Sequence, residues 1–227
     1  MADNLTIGVE STKYYPHYTS DGDQYFGFAR ELFDLFGKKY NHQISYRVLP
    51  VERLYSSFLQ GDVDLKYPDN PLWRKDLKQN IAITYSSPVA SYTDGLMVMP
   101  DKLSIHDPNQ LKIISTFLGF TAFEYESYQK RGLEINYNPS IIGALEQSLI
   151  GRVDGTYLNI DVARYHLANT FKNPNGLVFN RNLPFTHSQY HLSTTKRVDI
   201  IKQFNRFLSE SQPEIIQLKA KFGIFED

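Results

Sequence analysis

One short pattern occurs twice in this chain. The segments 57–65 (SFLQGDVDL) and 148–156 (SLIGRVDGT) each begin near the end of an amphipathic run with helical spacing. In each, the residues G-x-V-D are followed by an apolar stretch. Glycine adopts the left-handed conformation that ends many helices, so both copies predict a helix that stops at the glycine and a strand that follows. Two copies of one α/β unit in a single chain predict two similar lobes.

Hydrophobic periodicity predicts the same order of elements around both copies. The first half shows alternating apolar residues at 5–10 and 44–48, and helical spacing at 28–36 and 51–59, with a polar and aromatic loop after the first strand. The second half predicts strands at 112–115, 133–137 and 153–158, and helices at 121–130, 141–150 and 160–168. A return strand at 190–194 and helices at 198–209 and 214–222, separated by Pro213, complete the chain.

This order predicts that one lobe is inserted into the other. We expect residues 1–90 to form the first part of lobe one, residues 91–188 to form the inserted lobe two, and residues 189–227 to return to lobe one. Two crossing segments are typical of a hinge. A crevice between two lobes is where small ligands usually bind, so we expect the ligand there.

Charge and composition narrow the function classes. Lys and Arg number 24 and Asp and Glu 25, without runs of one sign, so we expect no nucleic-acid partner. No apolar stretch has the length of a membrane helix, so we expect a soluble chain without membrane insertion. We also expect the protein to be a monomer. The Met1-Ala2 start lacks secretory features, and we expect that an exported protein has lost its signal peptide. There is no cysteine, and no nucleotide or hydrolase motif, so no cofactor is predicted.

Three segments, in order, resemble one protein family. The residues YPHY at 15–18 followed by GFAREL at 27–32 are similar to "Y-P-P-F … G-F-x-x-D-L", YSSPV at 85–89 to "F-S-x-P-Y", and GRVD at 151–154 through VARY at 162–165 to "G-R-V-D-A … D-x-x-V-A-x-Y". The segment LPVER at 49–53 also resembles the "L-P-W-x-R" of a divergent branch. Together they resemble the periplasmic solute-binding proteins of the amino-acid type (family 3), which feed ABC importers.

The resemblance implies an α/β, two-lobed type II periplasmic-binding-protein fold, in which each lobe is a mostly parallel sheet flanked by helices and two hinge segments join the lobes. It also implies a periplasmic location, a small polar solute, and an ABC permease as partner.

Ligands of open α/β sheets bind beyond the carboxyl ends of the strands, which selects the candidate residues of lobe one. Aromatic rings with polar tips suit a small polar solute. Arg74 has the sharpest case, because a guanidinium forks onto a carboxylate, and the family holds the ligand's α-carboxylate with an Arg in "T-P-x-R". The register differs in NPLWR, so Lys75 or Arg53 could serve instead. The candidates in lobe one are Glu10, Tyr14, Tyr15, Arg53, Tyr67, Asn70, Trp73 and Arg74.

In lobe two, the segment 115–121 joins a predicted strand to a predicted helix. Backbone N–H groups at a helix start, with Thr116, Phe117 and Thr121 beside them, predict an anion site. The strand through Tyr157 ends at Asn159, where the resemblance implies an Asp that takes the ligand's ammonium. Because Asn is neutral, either Glu10 or Asp161 supplies the missing charge, or the solute is not an ordinary α-amino acid; we favour the second.

The sequence gives little support for a metal site or for catalytic carboxylates. His187 and His191 have metal-ligand spacing but no third ligand nearby in sequence, so no metal site is predicted. Asp64 and Asp154 begin their strands, at the edge opposite the ligand, and are not expected to be catalytic.

The leading hypothesis is a non-catalytic receptor that closes its lobes around a solute and delivers it to the importer. Two alternatives stay open. One is an enzyme resembling cyclohexadienyl dehydratases, with Glu10 as acid or base. The other is the solute-sensing domain of a signalling protein, although the chain ends at Glu226-Asp227 without a linker, which we take to favour a free-standing receptor.

Overall fold

The chain forms two compact α/β units. The computed structural model describes residues 3–224, so the predictions that concern Met1-Ala2 and Glu226-Asp227 lie outside the described residues. Unit 1 comprises Met1–Ser91 with Gln189–Asp227, and unit 2 comprises Tyr92–Ser188. The chain passes between the units within two long strands, β7 (Ala90–Val98) and β12 (Thr186–Thr194).

Unit 1 holds most of the strands and helices. Its strands are β1 (Asn4–Glu10), β2 (Thr19–Asp21), β3 (Gln24–Phe26), β4 (Gln43–Leu49), β5 (Leu65–Asp69) and β6 (Thr84–Tyr85). Its helices are α1 (Phe28–Tyr40), α2 (Val51–Leu59), the single turn α3 (Lys75–Lys78), α7 (Val198–Glu210) and α8 (Gln212–Phe222).

The sheet of unit 1 has the order β4-β1-β5-β12. The first three strands are parallel, and β12 runs antiparallel to β5 and to β6. Helices α1 and α7 cover it with an aromatic core, in which Phe36 contacts Phe204 edge-on at 5.1 Å and Phe33 lies 5.6 Å from Phe204 between ring centroids. Each buried ring removes a large apolar area from water, so this core stabilises unit 1.

Unit 2 repeats the arrangement with fewer long helices. Its strands are β8 (Ile113–Phe117), β9 (Glu134–Asn138), β10 (Gly155–Asn159) and β11 (Val178–Phe179), together with β7. Its helices are the single turn α4 (Glu126–Gln129), α5 (Ile141–Leu149) and α6 (Ile160–Asn169). The sheet order is β7-β10-β8-β9, in which β10, β8 and β9 are parallel and β7 is antiparallel to β10. Each unit therefore has the mostly parallel sheet that the sequence predicts.

The duplicated phrase performs the same structural task in both units. Gly61 and Gly151 adopt positive φ angles of 80° and 73°, as expected for the residue that ends each helix. Asp64 then accepts a hydrogen bond from the Thr6 backbone N–H at 2.8 Å. Asp154 accepts the backbone N–H of Lys112 at 2.7 Å. Each aspartate thus holds the start of the neighbouring parallel strand.

Three local predictions are wrong. The loop after β1 contains the antiparallel β2–β3 hairpin. The helix predicted at 121–130 is a 3-10 turn at Phe123–Tyr125 followed by the single turn α4. Pro213 lies in the first turn of α8 and does not separate the helices, because proline lacks only an N–H that the first turn leaves unpaired; the break is at Ser211. None of the helices within residues 3–224 is long and apolar enough to cross a lipid bilayer.

Candidate functional site

The first strand of unit 1 ends at a buried carboxyl group. Glu10, the last residue of β1, is 8% exposed and accepts a hydrogen bond from the Tyr18 hydroxyl at 2.8 Å. The Tyr14 ring stacks on the Tyr18 ring at a centroid distance of 5.3 Å. Burial raises the pKa of Glu10, while the positive charge of Lys66 opposes the rise. Glu10 therefore offers a buried acceptor whose ionisation is opposed by burial and favoured by Lys66.

A cluster of buried charges lies at the end of β5. Asp69 and Lys66 have fully buried side chains, with Lys66 Nζ 3.6 Å from Asp69 Oδ1. Lys78 Nζ donates to the same oxygen at 2.7 Å, and the Ser193 hydroxyl donates to Asp69 Oδ2 at 2.7 Å. Lys66 also donates to the Pro68 carbonyl at 2.6 Å. We call Lys66, Asp69, Lys78 and Ser193 the Asp69 cluster.

The electrostatics of this cluster follow from its pairing. Burial opposes ionisation of Asp69, but Lys66 and Lys78 outweigh it and hold the pKa of Asp69 below its ordinary value. Burial lowers the pKa of Lys78, and Asp69 opposes that change. The sequence analysis does not select Lys66, Asp69 or Lys78, because a lysine inside an apolar strand counts there only as a residue of that strand. The signal available was the charge pair Lys66 and Asp69 within a strand that is buried on both faces.

Several predicted residues of unit 1 have structural contacts. Tyr67 is fully buried and meets the Phe33 ring edge-on at 5.0 Å, so its ring belongs to the core. The Tyr15 ring contacts Phe222 of α8 at 5.8 Å. The Asn70 side chain donates to the Gln189 carbonyl at 2.8 Å.

Asn70 Oδ1 also accepts the Leu72 backbone N–H at 2.8 Å, so its side chain ties the loop after β5 together. The Trp73 ring stands edge-on to Tyr190 at 5.9 Å. Trp73 and Asn70 are thus brought to the same strand ends as the Asp69 cluster.

Arg74 already forms ion pairs with two carboxylates. Its guanidinium pairs with Glu52 at 2.5 Å and with Asp76 at 3.3 Å, and its backbone is left-handed with φ 46°. The hydrogen bonds that Arg74 donates to Asp76 and to Glu52 raise the pKa of Arg74 further. Arg53 and Lys75 are exposed. A ligand carboxylate would have to compete with Glu52 and Asp76, and the ligand role of Arg74 stays a prediction.

The predicted anion site in unit 2 lacks the helix on which it depended. Thr121 is exposed and is followed by the 3-10 turn, so no helix begins there. The Thr116 hydroxyl is buried and donates to the Tyr157 carbonyl at 2.9 Å, which joins β8 to β10. Phe117 ends β8 and stacks on Phe120 at 5.0 Å. The helix start on which the predicted anion site depended is absent, and the ligand roles of Thr116, Phe117 and Thr121 stay a prediction.

The end of β10 carries a polar constellation of its own. Asn159 is the N-cap of α6, and its Oδ1 accepts the backbone N–H groups of Asp161 at 2.9 Å and Val162 at 3.1 Å. The Tyr157 hydroxyl donates to Glu124 Oε2, and the Thr186 hydroxyl donates to Glu124 Oε1. Capping explains why an uncharged amide is well suited to position 159.

Asp94 lies opposite Asn159 across the β7–β10 ladder. Burial raises the pKa of Asp94 well above its ordinary value; the charge of Glu124 adds to the rise, and the Asn159 amide opposes it. Sequence reasoning missed both acids. Asp94 lies near the start of the predicted lobe two, outside every strand predicted there, and Glu124 falls in the helix predicted at 121–130, which does not form.

The two histidines have other partners. His187 Nδ1 is 3.0 Å from the Thr93 hydroxyl, and His191 Nδ1 is 2.8 Å from the Ser86 carbonyl oxygen. Among residues 3–224, no group of three or more His, Cys, Asp or Glu side chains is placed to hold a metal ion.

The whole fold is similar to several solved structures. A histidine kinase sensor domain with similarity to periplasmic binding proteins aligns with a TM-score of 0.75 and 15% identity, over 99% of this chain and 98% of that chain. An ancestral amino-acid-binding protein, a precursor of cyclohexadienyl dehydratase, aligns with a TM-score of 0.70 and 17% identity over 96% and 95% of the two chains. A periplasmic binding protein of an arginine transport system from Legionella pneumophila gives a TM-score of 0.69 and 15% identity over 97% and 100%.

No protein-family model matches the chain, and no curated protein matches it. At such identities the structural likeness defines the fold and leaves the ligand open. The predicted two-lobed α/β architecture is confirmed: the chain has the type II periplasmic-binding-protein fold.

Proposed function

We propose that this protein is an extracytoplasmic receptor for a small polar solute, an amino acid or a related amine or carboxylate. One observation carries the proposal: parallel strands of both units end at buried polar or charged residues. Glu10 ends β1, Asp69 ends β5 and Asn159 ends β10, and all three are buried. Burying such groups costs free energy unless a partner compensates, and the carboxyl ends of parallel strands are where α/β folds bind ligands.

The remaining parts of the proposal concern what binding does. We propose that the two units close on the solute, that the closed form is presented to an ABC permease, and that the receptor acts as a periplasmic monomer. A ligand shifts such an equilibrium only by its preference for the closed state. The similarity to a periplasmic binding protein of an arginine transport system supports this choice.

A sensor role is the second candidate. It is supported by the similarity, over 99% of this chain, to a histidine kinase sensor domain. A sensor and a transport receptor would bind solute in the same way and differ in the protein that reads the bound form. Pull-down with a candidate permease and with a candidate kinase, each in the presence and absence of solute, separates them.

The first experiment is a thermal-shift screen of the full chain. The compounds are amino acids, polyamines, sugars and organic acids, because a ligand that binds only the folded state stabilises it by mass action. At a concentration 100 times its Kd, a ligand contributes about 2.7 kcal/mol, which raises the Tm of a chain of this size by about 5–10 °C. A screen in which no compound raises the Tm contradicts the proposal.

Two further measurements use the compound that the screen finds. Small-angle scattering with and without it should show a smaller radius of gyration when it is bound, and an unchanged radius contradicts closure. Incubation with prephenate or arogenate, followed by product absorbance, tests the dehydratase alternative. Turnover that Glu10→Gln abolishes would assign an enzyme in place of a receptor, because the amide cannot exchange the proton.

A further inference from the structure

Asp94 and Asn159 present buried polar atoms that the fold does not satisfy. The two residues face each other as partners in the antiparallel ladder of β7 and β10. Asn159 is 0% exposed; its Oδ1 is used by the α6 cap, while its Nδ2 has no hydrogen-bond partner among residues 3–224. Asp94 Oδ1 is also buried and without a hydrogen-bond partner in that part of the chain. A native fold leaves few such atoms, and each calls for a ligand or another explanation.

Glu124 is the second acid near Asp94, and the two differ in their hydrogen bonds. Glu124 acts on Asp94 by charge repulsion, but both of its oxygens accept hydroxyl donors, one from Tyr157 and one from Thr186. Asp94, in contrast, has an oxygen, Oδ1, that accepts no hydrogen bond from residues 3–224. Burial, Glu124 and the Asn159 amide are the influences on Asp94 within the described residues, and none of them is a cation. Two nearby carboxylates with no positive partner favour a bound positive charge.

We propose that Asp94 receives the cationic nitrogen of the solute, an ammonium or a guanidinium group, at the position opposite Asn159 in the β7–β10 ladder. This inference rests on the proposed receptor function and names the chemical class of its ligand. A buried carboxylate oxygen without a hydrogen-bond partner in the described residues suits an N–H donor, whereas Ca²⁺ or Mg²⁺ requires about six oxygen ligands. The positive charge is thus recognised from β7, and neither Glu10 nor Asp161 needs to supply the carboxylate that Asn159 lacks.

The test compares three proteins: wild type, Asp94→Asn and the control Asp101→Asn. Asp101 is an exposed acid of the same unit, so its variant removes the same charge from the surface. Each is titrated with L-arginine, L-lysine, putrescine and L-glutamine, which carry cationic nitrogen, and with glutarate and glucose, which do not. Binding is measured by calorimetry and by thermal shift at pH 7.5.

We expect the solutes that stabilise the wild type to carry cationic nitrogen, and Asp94→Asn to weaken them by about 10- to 100-fold, the scale of a lost charged hydrogen bond. Asp101→Asn should leave their Kd unchanged. Without solute, Asp94→Asn should keep or raise the Tm, because it replaces an acid whose ionisation is opposed by burial and by Glu124 with a neutral amide of nearly the same shape.

Three outcomes overturn the inference: wild type stabilised only by glutarate or glucose, an unchanged Kd in Asp94→Asn, or a lower Tm of Asp94→Asn without solute. The first two leave the receptor function standing. Absence of binding by every compound instead contradicts the receptor function and the inference with it. Should Asp94→Asn fail to fold, the smaller neutral variant Asp94→Ser answers the same question.

Discussion

Replacing Asp69 with asparagine should destabilise unit 1 strongly, although the change is nearly isosteric. Asp69 accepts hydrogen bonds from Lys78, Ser193 and the Asn70 backbone N–H at 2.7, 2.7 and 2.8 Å, and faces Lys66 at 3.6 Å. Asparagine preserves the shape and one acceptor oxygen but removes the only carboxylate of the Asp69 cluster. Two lysines would then remain without it, one of them with a side chain that is 0% exposed.

The magnitude follows from this loss of pairing. Removing one member of a buried ion pair costs about 3–5 kcal/mol, because the other charge stays buried without compensation. Lys66→Met should cost less, about 1–2 kcal/mol, because Asp69 keeps Lys78 and Ser193, while the Pro68 carbonyl loses its donor and Glu10 loses the positive charge that favours its ionisation. The prediction is therefore the large difference between two variants of the same ion pair.

Urea unfolding provides the assay. The chain has one tryptophan, Trp73, which lies in unit 1 close to the Asp69 cluster, so its fluorescence reports the unfolding of the unit that carries the change. The control is Asp62→Asn, since Asp62 is half exposed and stands 4.0 Å from Arg47, a pair that contributes at most about 1 kcal/mol. The reasoning is refuted if Asp69→Asn unfolds at the same urea concentration as the control, or if Lys66→Met is equally destabilising.

The same variant predicts a pH dependence. The folded-state pKa of Asp69 lies below its unfolded value, so its stabilisation is fully present above about pH 4 and is lost as the pH falls through the folded pKa. The difference in unfolding free energy between wild type and Asp69→Asn should therefore shrink below about pH 4. A difference that stays constant from pH 6 to pH 3 would contradict the assigned direction of the shift.

Three further predictions concern other parts of the chain. Asp154→Ala should lower the free energy of unfolding more than Asp64→Ala, by about 1–2 kcal/mol, because Asp154 accepts two backbone N–H groups and Asp64 accepts one. Equal urea midpoints for the two variants would contradict this. Gly95→Ala should cost about 1–3 kcal/mol, since the new Cβ would lie 2.2 Å from the Phe179 ring, and thermal melts should show recovery when Phe179→Ala is added. Arg74→Ala should weaken an acidic or zwitterionic solute by about 2–3 kcal/mol in calorimetry; an unchanged Kd would remove Arg74 from the site.

The elements that the sequence predicted well are those whose pattern is local. Helix α1 runs from Phe28 to Tyr40, and its apolar spacing is complete within its own residues. The duplicated G-x-V-D phrase likewise carries its own turn chemistry, with a glycine at positive φ and an apolar strand after it. Local propensity and periodicity are sufficient for such segments, and their order along the chain indicates the two-unit α/β fold.

The segment 121–130 shows where local patterning ends. Its residues are compatible with a helix, yet Tyr125 is buried in the core of unit 2 and Glu124 is held by the hydroxyls of Tyr157 and Thr186. These contacts come from strands far away in the sequence, and they outweigh a weak helical preference. No single-sequence pattern specifies them.

By itself, then, the sequence determined the long helices, the main strands, their order and the strand ends at which polar residues gather. Tertiary structure decided which charges meet. Asp94 and Asn159 are 65 residues apart and become partners only through the β7–β10 register. The pKa of Asp69 is set by its burial and by the charges of Lys66 and Lys78. Burial and pairing set the cost of a charge, and both are properties of the folded neighbourhood and not of the residue.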